Sequence, residues 1–472
     1  MKPNYFLILS PKKNIMNTNQ KFRTVFNRNS RQVFPAIYLI ISHLFFVLIM
    51  VSSCNTSQKE GQEKNVTKAE IVKTNAGFQL QLNGEPFYVK GAGLEGGNIA
   101  RLKSHGGNAI RTWRTGDNTM SAGELLDEAQ KHGIYVTMGI DIARERHGFD
   151  YNDEAAVKEQ FERVKKDVLL YKDHPAMMAW GIGNELNLHY SNPKVWEAVE
   201  DIAGMIKEID PNHLTTTMLA GADREVVRRV IETCPHLDFL SFQIYGDIMN
   251  LPKYIRESGY DGAYIVSEWG ATGHWETRKT SWGRPIEQQS TEKANAYLER
   301  YQQVIAADHE NCIGSFVFLW GQKQERTPTW YGMFLENGRK TASVDVMEYV
   351  WTGNWPEKRA PVMEAFLINE KPATSSVILL PGVEFDATAI AESHTNEKLR
   401  YHWEIMPEVP IDQQSDGGDF EQRPKTLFKM ESDEHKVKLN APESAGEYRL
   451  FVYVLDAYNG AATANIPFKV AE

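Results

Sequence analysis

The stretch Ala122-Gly-Glu-Leu-Leu-Asp-Glu-Ala-Gln-Lys-His132, followed by Gly133 and then by Tyr135-Val-Thr-Met-Gly-Ile140, decides how the rest of the chain reads. Its first half carries apolar residues at helical spacing and stops on a glycine. Its second half is a short apolar run suited to a strand. Helix and strand alternate in this way on both sides of it. Apolar runs predict strands over 87–92, 109–113, 135–140, 177–181, 214–219, 239–244, 264–267 and 313–319. Amphipathic stretches between them predict helices over 122–132, 153–171, 194–209, 224–232 and 291–307. Eight such units within about 270 residues match the size of a (β/α)₈ TIM barrel, an α/β fold. The competing architecture is a doubly wound open sheet. Its dinucleotide-binding form needs a Gly-x-Gly-x-x-Gly turn after the first strand, and there is none.

Past the barrel the helical period disappears. Residues 353–361, with Trp355-Pro356, several charges and Pro361, read as a linker. Short strands are then predicted over 362–368, 376–379, 385–390, 399–405, 436–439, 448–455 and 462–470. The clearest alternation is Gly446-Glu-Tyr-Arg-Leu-Phe-Val-Tyr-Val454. Seven strands in about 110 residues suit a C-terminal β-sandwich, and this piece resembles an immunoglobulin-like module without a disulfide. The expected organisation is an export signal over 1–53, a tether over 54–70, a catalytic barrel over 71–352, the linker over 353–361 and the sandwich over 362–472.

The 472 residues are 42% hydrophobic and 24% charged, as in ordinary globular proteins. A formal net charge of −10 argues against nucleic acid, which needs a basic face, and suits a neutral sugar equally well as a partner. The three cysteines are too few for a disulfide framework and are not at metal-ligand spacing. Cys234 and Cys312 read as buried small hydrophobes. Cys54 reads differently. Basic residues up to Arg31, an apolar run over 33–51 and Val51-Ser-Ser-Cys54 form an export signal, with Met16 as an alternative start. The tetrapeptide resembles a bacterial lipobox, which implies lipidation of Cys54 and anchoring to a bacterial outer membrane, facing the periplasm or the cell surface. The alternative is a membrane-anchoring helix over the same run.

In a barrel the chemistry sits where strands end. Two carboxylates fall there. One closes the fourth predicted strand in Met178-Ala-Trp-Gly-Ile-Gly-Asn184-Glu185, and the other closes the seventh in Tyr264-Ile-Val-Ser-Glu268-Trp-Gly270. Glycoside hydrolysis needs one carboxylic acid to protonate the leaving oxygen and one carboxylate to meet the oxocarbenium-like centre. No metal or cofactor is implied, because neither His-Glu-x-x-His nor a carboxylate cluster at ligand spacing is present.

Asn184-Glu185 and Glu268, at those two strand ends, resemble the paired signatures of glycoside hydrolase clan A across the whole barrel. The resemblance implies a retaining enzyme, with Glu185 as acid/base, Glu268 as nucleophile and Asn184 on the sugar 2-hydroxyl. Asn108-Ala-Ile-Arg111 resembles the position of an arginine that would pair with the nucleophile and keep it ionised, although Arg114 lies close by. Gln243-Ile-Tyr245 resembles the position of a tyrosine that hydrogen-bonds the nucleophile, and a strand-end core tyrosine is the alternative. Trp320 resembles the aromatic floor under the cleaved sugar, against plain packing. Trp113, Trp275, Trp282, Trp330 and Tyr331 fall in loops where sugar stacking is conceivable. Glu95, ending the first strand, reads as a surface carboxylate or a sugar contact.

The signal, barrel and single C-terminal module together resemble glycoside hydrolase family 158, which implies an endo-acting β-1,3-glucanase. The strand motifs also resemble the catalytic barrel of family 2, which implies an exo-acting β-glycosidase. The N-terminal sandwich domains usual in that family are not seen ahead of this barrel. Other readings are family 5-like endo-mannanase or glucanase activity, a transglycosylase, and an inert surface glycan-binding lipoprotein. Presence of both carboxylates speaks against the last.

Overall fold

The computed structural model describes residues 66–94, 97–116, 119–415 and 421–472. The expected export signal, the expected lipidation site Cys54 and the candidate sugar contact Glu95 lie outside the described residues. Among those described, no helix is long and apolar enough to cross a membrane.

Three short strands come first: β1 Ala69–Thr74, β2 Gly77–Leu82 and β3 Glu85–Phe87, an antiparallel sheet. The expected strands include neither β1 nor β2, and the sheet moves one expected boundary. Ala69 and Glu70, assigned to the tether, pair with Leu82 and Gln81. Leu80 and Leu82 join Val89, Met178, Leu214 and Ile313 in one buried cluster at the amino-terminal ends of the barrel strands. The small sheet therefore seals that mouth of the barrel with apolar side chains, which leaves the carboxyl-terminal mouth as the open one.

The barrel follows as β4 Val89–Gly93, α1 Ile99–Ser104, β5 Ala109–Arg111, α2 Ala122–Lys131, β6 Tyr135–Ile140, α3 Glu154–Tyr171, β7 Met177–Asn184 and α4 Lys194–Ile209. It continues with β8 Leu214–Ala220, α5 Arg224–Thr233, β9 Leu240–Gln243, α6 Leu251–Ser258, β10 Tyr264–Trp269, α7 Ser290–Arg300, β11 Cys312–Val317 and α8 Ala342–Thr352. Strands β4 to β11 close on themselves in sequence order, all parallel. Helix α2 shows why the helices start where they do. Ser121 caps α2 by accepting from the Glu124 N–H at 3.3 Å, while the Glu124 carboxylate accepts from the Ser121 N–H at 2.9 Å. Leu125, Leu126 and Ala129 of that helix are buried against the barrel. The long helix expected over 291–307 is shorter, since Tyr301–Ile305 is a π-helical turn.

After α8 the chain forms a β-sandwich. One sheet holds β12 Val362–Ile368, β14 Glu384–Glu392 and β17 Lys436–Asn440. The other holds β13 Ile378–Leu379, β15 Arg400–Pro407, β16 Phe428–Ser432, β18 Gly446–Leu455 and β19 Ala461–Val470. Phe366, Phe385 and Leu439 from the first sheet share a buried core with Trp403, Leu450 and Phe468 from the second. The eighth strand, β16, was not foreseen. It sits at a sheet edge with mostly exposed side chains, so its sequence shows no alternation.

Candidate active site

At the carboxyl-terminal mouth lies a cleft of about 1070 Å³. Asn184, Glu185, Gln243, Tyr245 and Glu268 all line it, and Arg111 reaches it from below. The strand ends account for this grouping: Arg111, Asn184 and Gln243 are the last residues of β5, β7 and β9, Glu268 is the last but one of β10, and Trp113, Glu185 and Tyr245 follow within two residues of a strand end.

Glu268 is nearly enclosed, with 8% of its side chain exposed. Three donors meet its Oε1: Trp113 Nε1 at 2.7 Å, Gln243 Nε2 at 3.0 Å and Arg111 Nη1 at 3.1 Å. One meets Oε2, the Tyr245 hydroxyl at 2.8 Å. Arg111 is fully buried and also donates to Asn184 Oδ1 at 2.8 Å. Gln243 Nε2 donates to the same Asn184 oxygen at 2.7 Å, so arginine, glutamine, asparagine and glutamate form one lattice. Burial, and next the Glu268 charge, push the Tyr245 hydroxyl well above its ordinary pKa, so it stays a donor.

Glu185 has a different setting. Its carboxylate is about a quarter exposed, with Arg146 Nη2 at 4.0 Å. Burial and then the negative charge of Glu268 raise its pKa to about 7, against the opposing pull of Arg146, Arg111 and Arg144. The backbone that carries it is bent. Gly183 has φ +74°, where a Cβ would also lie 2.5 Å from the Leu186 side chain, and Glu185 itself has φ +52°. A left-handed conformation costs a residue with a side chain roughly 1–2 kcal/mol. Two arginines from the loop after β6 hold that bend: Arg144 Nε donates to the Asn184 carbonyl at 3.0 Å and Arg146 Nη1 to the Glu185 carbonyl at 2.5 Å.

Other expectations separate here. Trp320 is no floor of the cleft. Its ring is buried behind the barrel wall, edge-on to His105 at 5.6 Å and Phe334 at 4.9 Å and tilted against Trp351. Strand β11 ends at Val317, so alternation cannot be carried through to residue 320, and Phe318 lines the cleft instead. Trp330 is buried, donating to the Thr272 carbonyl, and Trp282 lies off the cleft. Trp275 and Tyr331 do line it, while Arg114 lines it without being the partner of Glu268. Trp113 does more than stacking would ask, since its indole N–H meets the carboxylate. The bracing by Arg144 and Arg146 and the contacts of Gln243 were missed. For Gln243 its position at the carboxyl end of a predicted strand was an available signal.

The model of glycosyl hydrolases family 2, TIM barrel domain, matches residues 98–338. A curated relative is "Probable mannan endo-1,4-beta-mannosidase C" of Aspergillus terreus, 29% identical over 161 residues, covering 26% of this chain and 39% of that protein. Among solved structures, a Bacteroides uniformis beta-glucuronidase 2 superposes with a TM-score of 0.47 at 15% identity, over 85% of this chain and 48% of the other. A Dictyoglomus thermophilum beta-D-glucuronidase gives 0.48 at 16% identity, over 62% and 55%. The chain thus spans about half the length of these glucuronidases and less of the mannosidase. With a matched segment that takes in every strand end from β5 to β11 and both carboxylates of the cleft, the chain belongs to the family 2 glycosyl hydrolases through their TIM barrel domain.

Proposed function

We propose that the chain is a retaining β-glycoside hydrolase, with Glu185 as acid/base and Glu268 as nucleophile. The observation that carries this reading is the unequal treatment of two carboxyl groups in one cleft. Glu268 is wrapped in four donors, whereas Glu185 is half-buried with its pKa raised to about 7. A carboxyl raised toward neutrality beside one surrounded by donors assigns the acid and the nucleophile.

In the first step Oε2 of Glu268 attacks the anomeric carbon. That oxygen holds a single hydrogen bond, from Tyr245, while Oε1 has three and becomes the carbonyl of the glycosyl ester. Glu185 gives its proton to the glycosidic oxygen as the carbon–oxygen bond breaks. The ester no longer carries the charge of Glu268, so Glu185 is left as an ionised base. It takes a proton from water, the water oxygen attacks the anomeric carbon, and the ester bond breaks to return both carboxyls to their starting state. Two inversions give net retention. Asn184, its amide oxygen taken by Arg111 and Gln243, has its NH₂ group left to donate to a sugar hydroxyl.

For the substrate, the cleft of about 1070 Å³ slightly exceeds the roughly 300–1,000 Å³ typical of small-molecule sites. That size supports several sugar units and endo action. A β-glucan, β-1,3-glucan first, is the substrate assigned, on the strength of the family 158 resemblance. Family 2 membership favours a second reading, exo action on a β-glycoside, and the name of the mannosidase relative makes mannan the third polymer to try. Anchored by a lipid on Cys54, the enzyme would meet such polymers outside the cytoplasm. A Cys54→Ser variant that still takes up labelled fatty acid would remove that anchor from the account.

The test is incubation with laminarin, mixed-linkage glucan, mannan and aryl glycosides. Oligosaccharides from laminarin are expected. Monosaccharide alone means exo action, lengthened chains mean transfer, and binding without products means an inert receptor. Glu185→Gln should lower turnover of unactivated substrates by about 10²–10⁴-fold.

A further inference from the structure

The segment joining β11 to α8 forms one wall of the cleft through Phe318, Lys323, Glu325 and Tyr331. It contains no regular helix or strand of its own, so something else must hold it. The sandwich does so from behind. Glu421, buried in the connection between β15 and β16, accepts from the Arg326 backbone N–H and pairs with the Arg326 guanidinium at 2.5 Å. It also accepts from Gln324 Nε2 at 3.2 Å. The two residues it grips flank Glu325, which pairs with Lys323 at 3.3 Å on the cleft side. Arg326 has φ +61°, a conformation that a side-chain-bearing residue keeps only when its surroundings enforce it.

A second anchor lies just beyond. The hydroxyls of Thr327 and Thr329 donate to the buried Glu287, and Asn465 of β19 donates to the same carboxylate at 2.6 Å. The wall then packs onto the site itself. The Tyr331 ring stands edge-on to Tyr245 and to Phe318, each at 5.7 Å, and Tyr245 is the donor to Glu268 Oε2. One short segment thus touches the sandwich at Gln324 and Arg326 and the tyrosine that donates to the carboxylate at Tyr331.

We infer that the sandwich is part of the active-site apparatus, and that Glu421 is a positioning residue that sets the wall from Lys323 to Tyr331 against the substrate without touching sugar. The kinetic side of this rests on the glycosidase reading; the ordering of the wall does not. The full-length Glu421→Ala variant should show faster amide hydrogen exchange over 322–331, with the amides of β5 to β10 unchanged. Its KM for the oligosaccharide substrate should rise about tenfold, since small misplacements are costly in a cleft, with kcat nearly constant. Glu421→Gln keeps an acceptor for the Arg326 N–H and should recover most of the loss. A variant lacking both loop-side partners, Gln324→Ala with Arg326→Met, asks the same question should Glu421→Ala not fold. Unchanged exchange over 322–331 overturns the inference. Faster exchange with unchanged KM overturns the positioning role. If the wild type cleaves no glycan, the glycosidase reading fails, and the exchange measurement alone decides whether Glu421 orders the wall.

Discussion

At the scale of single residues, the site works by giving two identical side chains opposite surroundings. Glu268 sits among an arginine, an indole, an amide and a phenol, whereas Glu185 faces cations only at a distance and keeps its proton near neutrality. In the proposed mechanism the first step needs the proton on Glu185, so kcat/KM should be full below its raised pKa and fall as pH rises through about 7. The charged groups that act on it are Glu268, Arg146, Arg111 and Arg144. Removing the positive charge in Arg146→Met takes away one pull on the carboxylate, and the alkaline limb of the kcat/KM profile should move to higher pH. A limb that stays in place or moves down would show that Arg146 does not act on the acid. Most of this was legible in the chain. Glu185, Glu268, Asn184, Arg111 and Tyr245 lie at or within two residues of the ends of strands whose apolar runs are plain. Arg144 and Arg146 were not, because they arrive through a loop whose path no local pattern encodes.

At the scale of elements, the barrel strands point the side chains and the connections shape the cleft. Gly139 shows how tightly this is drawn: a Cβ there would lie 2.4 Å from the Thr112 carbonyl, so β6 passes against the segment that carries Arg111 and Trp113. The most demanding local arrangement is the turn before α7. Lys293 Nζ meets Glu287 Oε1 at 2.5 Å and the Thr329 carbonyl at 2.6 Å, all of them buried. Burial lowers the pKa of Lys293 while Glu287 opposes it, so each charge depends on the other. Lys293→Met leaves Glu287 uncompensated and should cost about 3–5 kcal/mol, read by denaturant unfolding. A loss below 1 kcal/mol would show that the threonines and Asn465 suffice. Helical and strand periods revealed both elements around this turn. The pairing did not show, because lysine and glutamate six residues apart ordinarily read as solvated surface.

At the scale of the whole molecule, three pieces divide the work around one barrel. The small amino-terminal sheet closes one mouth of the barrel, the barrel carries the carboxylates, and the sandwich steadies a wall of the open mouth. The barrel and sandwich were readable because periodicity is a local property. The sheet over 69–87 was not, because its strands are short and gain their burial only from the barrel beneath them. Nor was Glu421, whose partners lie almost a hundred residues upstream in sequence. All of this serves one claim, that Glu268 bonds covalently to the substrate while Glu185 moves protons. A 2-deoxy-2-fluoro-β-glycosyl fluoride tests it most directly: the fluorine at C2 slows both steps through their oxocarbenium-like transition states, the fluoride leaving group at C1 speeds formation of the ester alone, and the ester therefore accumulates. Peptide mass spectrometry after inactivation should find one fluoroglycosyl unit on Glu268, and none in Glu268→Gln. A label on Glu185 instead, or hydrolysis of the natural substrate that releases the inverted anomer first, would contradict it.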